Sequence, residues 1–347
     1  MDSKILLDSE IAAVLDTVPP QMAWDPPAMR AAGEKMLSGE IVLPAGITRE
    51  IVQVESKDGY QVELRVFRPD NREPQGVIYS IHGGGMIAGQ ARYDDGWNGQ
   101  LVAETGQCVV SPNYRLAPEN PYPLPLQDCV AGWQWVKTEF PALPSVIYGD
   151  SAGGNLAAAV TLFSRDQGIA LADRVFLIEP VLDDRLETVS MQGGQNTPVW
   201  DLPNAKASWK AYLGEGKADI YAAPGRASDL SGWPETFLVA NQCDPLRDED
   251  IRFAQTLTES NVPVRLTLLP GTCHGVLGLQ DPAIAQQARE LVPLGTPYQE
   301  GELKSFFTSL CLSGCWYKDS VFTVEDVHSW FQERSQFNKR KYSGTNP

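Results

Sequence analysis

The chain has 347 residues, 43% hydrophobic and 21% charged, enough for one large core or two modest domains. Its 28 basic against 44 acidic residues leave a net charge of −16, which argues against nucleic acid and anionic membrane surfaces as partners. No run approaches the length of a membrane span, and Ile5-Leu6-Leu7 is too short for a secretory signal, so a cytoplasmic location is expected.

Residues 1–45 read as an amphipathic helical arm or lid, with Ile11, Val14 and Leu15 on one face and Pro19-Pro20 and Pro26-Pro27 interrupting it. Residues 50–55 and 61–68 flank Asp58-Gly59 and predict a hairpin. Short apolar runs at 76–81, 107–111, 146–148, 175–178, 237–240 and 265–269 read as strands. Helical stretches over 124–138, 152–164 and 248–259 separate some of them, and strands alternating with helices indicate a mostly parallel α/β sheet. The rhythm breaks between Leu182 and Trp233. That segment, about 183–233, is read as a helical cap inserted after a strand. The catalytic domain is then placed at 46–298. Residues 299–347, with Cys311, Cys315 and His328, read as an extension without an assigned role. The six cysteines are expected to be reduced and mostly buried. Cys311 and Cys315 could share a helix face, but zinc needs two further ligands, and no metal site is expected.

The chemistry gathers at Gly149-Asp150-Ser151-Ala152-Gly153. Gly-x-Ser-x-Gly between a strand and a helix is a turn so tight that the serine takes a strained backbone and its neighbours must lack side chains. A serine nucleophile needs a base and a group to orient that base. The chain has three histidines. His82 opens a glycine run and reads as structural, His328 lies in the unassigned tail, and His274 follows a late strand on the edge expected for Ser151. Asp244 follows another strand, and the order Ser151, Asp244, His274 is that of an α/β-hydrolase sheet. Asp248 and Glu249 are alternatives for the acid, but both suit the start of the following helix. The Ala152 N–H and those of Gly83, Gly84 and Gly85 are candidate oxyanion donors. Trp24, Met86, Trp200 and Trp209 are candidate pocket residues.

These residues resemble the hormone-sensitive-lipase family of α/β-hydrolases. The likeness rests on His82 to Gly85, on Tyr114-Arg115-Leu116-Ala117-Pro118-Glu119, on Gly149 to Gly154, and on Asp244-Pro245-Leu246-Arg247-Asp248. Leu182-Asp183-Asp184-Arg185 and Tyr221-Ala222-Ala223-Pro224 are similar to a microbial esterase branch. Residues 50–295 carry the likeness. It implies an α/β-hydrolase fold, a mostly parallel sheet flanked by helices with a helical cap from the N-terminus and the insert. It also implies carboxylesterase chemistry on small or medium acyl esters. Two positions depart from the pattern. Met86 stands where an aromatic residue is common, and Glu179 puts a carboxylate at a strand end, read as a solvated or salt-bridged group in preference to a pocket charge.

The expected activity is therefore hydrolysis of a small-molecule ester through an acyl-enzyme, deacetylation of a metabolite among the options, with no cofactor. A lactonase, amidase or acyltransferase would use the same parts. A small-molecule receptor on the same fold is the alternative of another class, although such proteins usually lack the base. The extension is open to a role in partner binding or a homodimer.

Overall fold

The computed structural model describes residues 7–16, 25–36 and 41–276. Trp24, Cys311, Cys315, His328 and the 299–347 extension lie outside the described residues.

Eight strands form one sheet in the order β1-β2-β4-β3-β5-β6-β7-β8. They are β1 (Ile47–Glu55), β2 (Gln61–Pro69), β3 (Val77–Ile81), β4 (Cys108–Pro112), β5 (Ser145–Asp150), β6 (Arg174–Ile178), β7 (Glu235–Asn241) and β8 (Val264–Leu269). β1 and β2 form the expected hairpin, and β2 meets β4 antiparallel. Every other pairing is parallel. The sequence explains the division. β3 and β4 are apolar enough to be buried along their whole length, as strands covered on both faces must be. β1 is mostly exposed and belongs at an edge.

The helices are α1 (Ser9–Leu15), α2 (Pro26–Met36), α3 (Asp95–Thr105), α4 (Leu124–Glu139), α5 (Ala152–Gln167), α6 (Val189–Gly193), α7 (Leu202–Leu213) and α8 (Arg247–Glu259). Strand alternation builds two cores. Val77, Tyr79 and Ile81 pack with Trp133 of α4, Leu156 of α5 and Phe253 of α8. Ile78, from the opposite face of β3, joins a core with Leu101 and Val102 of α3 and Ile11 of α1. The segment between β6 and β7 supplies a third cluster, including Leu186, Met191, Trp200, Leu202, Ala205 and Trp209, together with Met86 and Ala152.

Register fixes where the loops emerge. Ile81 pairs with Gly149, Asp150 with Ile178, and Asn241 with Leu269. The residues following β3, β5, β6, β7 and β8 therefore leave along one edge, at the carboxyl ends of the parallel strands. β3 lies between β4 and β5, so the connections on its two sides run in opposite directions, and the crevice they leave is where open α/β sheets bind ligands.

Candidate active site

Ser151 is the single residue between β5 and α5. Its φ of 55° and ψ of −115° lie where L-residues are strained. The turn closes only because Gly149 has no side chain: a Cβ there would lie 2.1 Å from the Gly153 carbonyl oxygen. The Ser151 N–H donates to the Ile178 carbonyl at 2.8 Å. The turn is thus pinned to the neighbouring strand with the side chain held at the sheet edge.

His274 and Asp244 reach that side chain from two other loops. Ser151 Oγ lies 2.9 Å from His274 Nε2, and His274 Nδ1 lies 2.7 Å from Asp244 Oδ2. The other Asp244 oxygen accepts the Leu246 N–H at 2.9 Å, which fixes the carboxylate from behind. All three residues are buried. Burial alone would depress the imidazole, but the charges of Glu179 and Asp244 outweigh it and raise His274 to about 10. Asp248 and Glu249 do not reach the ring. Asp248 accepts the Ser190 N–H, and Glu249 accepts those of Leu182 and Asp183. Ligand atoms of Glu179, Asp244 and His274 lie within 4.8 Å of one another, a spacing a cation could use. The 2.7 Å acid–imidazole hydrogen bond is the interaction these groups make.

The glycine loop lies alongside. Its carbonyls are occupied: Gly83 accepts from His82 Nδ1 at 2.8 Å, Gly84 from the Ala88 N–H at 2.9 Å, and Gly85 from Ser208 Oγ at 2.6 Å. The N–H groups of Gly84 and Gly85 donate to no group among the described residues. The Ala152 N–H opens α5, where the first turn lacks helical acceptors. Gly84 has φ 116°, and a Cβ there would lie 2.1 Å from the Ala88 carbonyl oxygen. Such an arrangement can take up the charge of a tetrahedral oxyanion.

Residues 78–278 match a family model described as the alpha/beta hydrolase fold. An arylesterase of Saccharolobus solfataricus is 32% identical over 246 residues, covering 68% of this chain and 78% of that protein. The carboxylesterase NlhH of Mycobacterium tuberculosis is 32% identical over 265 residues, covering 71% and 83%. Among solved structures, a bacterial heroin esterase superposes with a TM-score of 0.79 at 38% identity, covering 83% of this chain and 96% of that one. The chain belongs to the alpha/beta hydrolase fold family. The expected membership of the esterase branch is borne out, and a carboxylesterase-type hydrolase acting on small-molecule esters is what these relatives support.

Around this centre the hydrolase is apolar. Met86 is fully buried with φ 62°, and the Trp200 ring lies 5.8 Å from the His274 ring. Met86, Trp200 and Trp209 belong to the cluster that also holds Ala152. The Ser208 hydrogen bond to Gly85 ties α7 to the glycine loop. Asn155 of α5 donates to the Val181 carbonyl, just before the insert, and to the Ala222 carbonyl within it. The arm is attached as well. Arg30 of α2 donates to the carbonyls of Ile87 and Ala117 and pairs with Glu119. The Asp8 N–H donates to the Gly271 carbonyl, three residues before His274. His82 is stacked on Tyr114 with centroids 4.2 Å apart, and burial lowers it to about 4; it touches the glycine loop rather than Ser151.

Half of one expectation is overturned: Glu179 is not solvated, being 1% exposed, and the salt bridge it makes is to His274, with Oε1 3.6 Å from Nδ1. Its position at the end of an apolar strand, one residue before Pro180, was the available signal. Asn241 and Thr272, which join Glu179 in a hydrogen-bonded chain, carry no sequence signal, since each looks like an ordinary strand-end polar residue.

Proposed function

We propose that this hydrolase cleaves carboxylic esters of small or medium acyl groups through an acyl-enzyme on Ser151. The observation that carries the proposal is the hydrogen-bonded chain from Ser151 Oγ through His274 to Asp244, at 2.9 and 2.7 Å. His274 Nε2 takes the hydroxyl proton as Ser151 Oγ attacks the carbonyl carbon. Asp244 keeps the Nδ1 proton aimed at itself and stabilises the imidazolium. The N–H groups of Gly83, Gly84, Gly85 and Ala152 receive the oxyanion. His274 then protonates the departing alkoxide. Water enters, gives its proton to the same nitrogen and releases the acid. Every step uses groups of this chain. Met86, Trp200 and Trp209 are assigned to the apolar wall around the ester. A receptor would have no use for a base already hydrogen-bonded to a strained serine. Hydrolysis of p-nitrophenyl esters from acetyl to decanoyl tests the reading: turnover should be greatest for the short chains and vanish in Ser151→Ala. Turnover retained by that variant would overturn it.

A further inference from the structure

Glu179 follows β6 directly, between the strand that carries Ser151 and the strand that leads to Asp244. Ile178 pairs with Asp150 on one side and Val239 on the other, and the Glu179 N–H donates to the Val239 carbonyl at 2.8 Å. Its φ of 41° places a non-glycine residue in the left-handed region, a strain that persists only where the surroundings hold it. The side chain turns inward. Oε1 accepts the Gly275 N–H at 2.7 Å and lies 3.6 Å from His274 Nδ1. Oε2 accepts from Asn241 Nδ2, and Asn241 Oδ1 in turn accepts from Thr272 Oγ1 at 2.8 Å. One buried carboxylate thus holds the loop on both sides of His274 and shares the Nδ1 side of its ring with Asp244.

We propose that Glu179 is a positioning residue for His274, a second carboxylate that fixes the imidazole and its loop and accepts the Nδ1 proton when the Asp244 carboxylate is missing. The proposal rests on the reading of His274 as the base. A buried carboxylate is costly unless something compensates its charge, and here that role falls to the imidazole. The ionisable groups around Glu179 are His274 and Cys273 after β8, Asp244 after β7, Asp250 on α8, and Asp150 and Tyr148 on β5. His274 is the group among these that can become a cation. Burial raises the Glu179 carboxyl, opposed by His274 and reinforced by Asp150 and Asp244. Glu179 heads the charges that raise His274. The geometry and the charge distribution agree that two acids serve one base.

The test is the pH dependence of kcat/KM for p-nitrophenyl acetate in five proteins: wild type, Glu179→Gln, Glu179→Asp, Asp244→Ala and the Asp244→Ala/Glu179→Gln double variant, with folding followed by circular dichroism. Removing an anion beside an imidazolium makes it release its proton more easily. The acid limb of Glu179→Gln should therefore move to lower pH, by about one unit or more for a charge within about 4–6 Å. Glu179→Asp should lie between it and wild type. Asp244→Ala should keep at least about ten times the activity of the double variant, because Glu179 takes over part of a role whose complete loss costs about 3 × 10⁴ in a comparable triad. An unmoved acid limb, or equal activities of the single and double variants, would overturn the proposal. If Glu179→Gln fails to fold, Glu179→Asp decides by the same measure, since a carboxylate drawn back by one carbon must still shift the limb downward. Failure of the underlying reading would look different: His274→Ala would then stay active whatever stands at position 179.

Discussion

Two loops at the same sheet edge each carry a buried histidine, and their surroundings drive the two rings in opposite directions. His82, after β3, is stacked on Tyr114 and donates to a carbonyl; burial takes it down to about 4. His274, after β8, is also buried, but Glu179 and Asp244 reverse the effect and hold it up at about 10. Desolvation by itself makes an imidazole a neutral hydrogen-bond donor, suited to bracing a glycine loop. Beside carboxylates that stabilise its cation, a buried imidazole holds a proton more tightly instead. Both outcomes stand at one edge of the sheet.

The comparison breaks most decisively at His274. His274→Ala removes the base proposed above and should lower kcat by about 10⁶-fold, the scale of losing the serine or histidine of such a relay, measured as p-nitrophenyl acetate turnover in a folded protein. A loss under a hundredfold would mean that the two histidines do not differ as described. Next comes the loop that His82 braces. Gly84→Ala forces a Cβ against the Ala88 carbonyl oxygen, so the loop must shift and its N–H donors move off the oxyanion. Removing such a donor costs about 10²–10³ in kcat, and KM should change little by comparison. A variant with normal kcat would show that the loop does not bind the oxyanion.

The sheet and the turn that carries Ser151 were legible because their signals are local. An apolar strand, a glycine-bounded serine and a helix stand within twenty residues, and parallel pairing then brings the strand tips together. Strands β3 to β8 all lie within a residue or two of their expected positions. α3 was not anticipated, because Gly96 and Gly99 interrupt its first turns and weaken the helical signal. Gly99 is explained only by packing: a Cβ there would meet Pro44 at 2.9 Å. The burial of Glu179 was hidden for a related reason. A lone carboxylate after a strand is usually solvated, and its burial depends on Gly275 and Asn241, both more than sixty residues away in sequence. The segment between β6 and β7 was visible as a break in rhythm, while its attachment through Ser208 and Asn155 depends on backbone carbonyls, which sequence does not reveal.

The smallest effect sharpens the comparison furthest, because it asks His82 to behave unlike His274 in two measurements. His82→Leu keeps the bulk but loses the hydrogen bond to Gly83, worth about 1 kcal/mol, and the stack on Tyr114, worth about 0.5–1.5 kcal/mol. At pH 7 the variant should be less stable by about that amount, with kcat lowered less than about tenfold. The acid limb of its pH–rate profile should not move, since His82 faces the loop and not the proton path. Its stability should nonetheless respond to acid. The unfolded imidazole takes up a proton near its ordinary 6.5, the folded one only near 4. Between these values the unfolded state binds more protons, so the contribution of a neutral buried His82 is complete above 6.5 and is lost as pH falls through 4. The loss amounts to about 3 kcal/mol at most. Because that loss exceeds the variant's deficit at pH 7, urea midpoints of wild type and His82→Leu should converge as pH falls from 7 and cross before pH 4. For His274 the sign is opposite: its raised value contributes stability that is full below 6.5 and disappears as pH rises through about 10. A stability difference between wild type and His82→Leu that stays constant with pH would show that His82 is not held neutral by burial, and the contrast between the two loops would fail on that side.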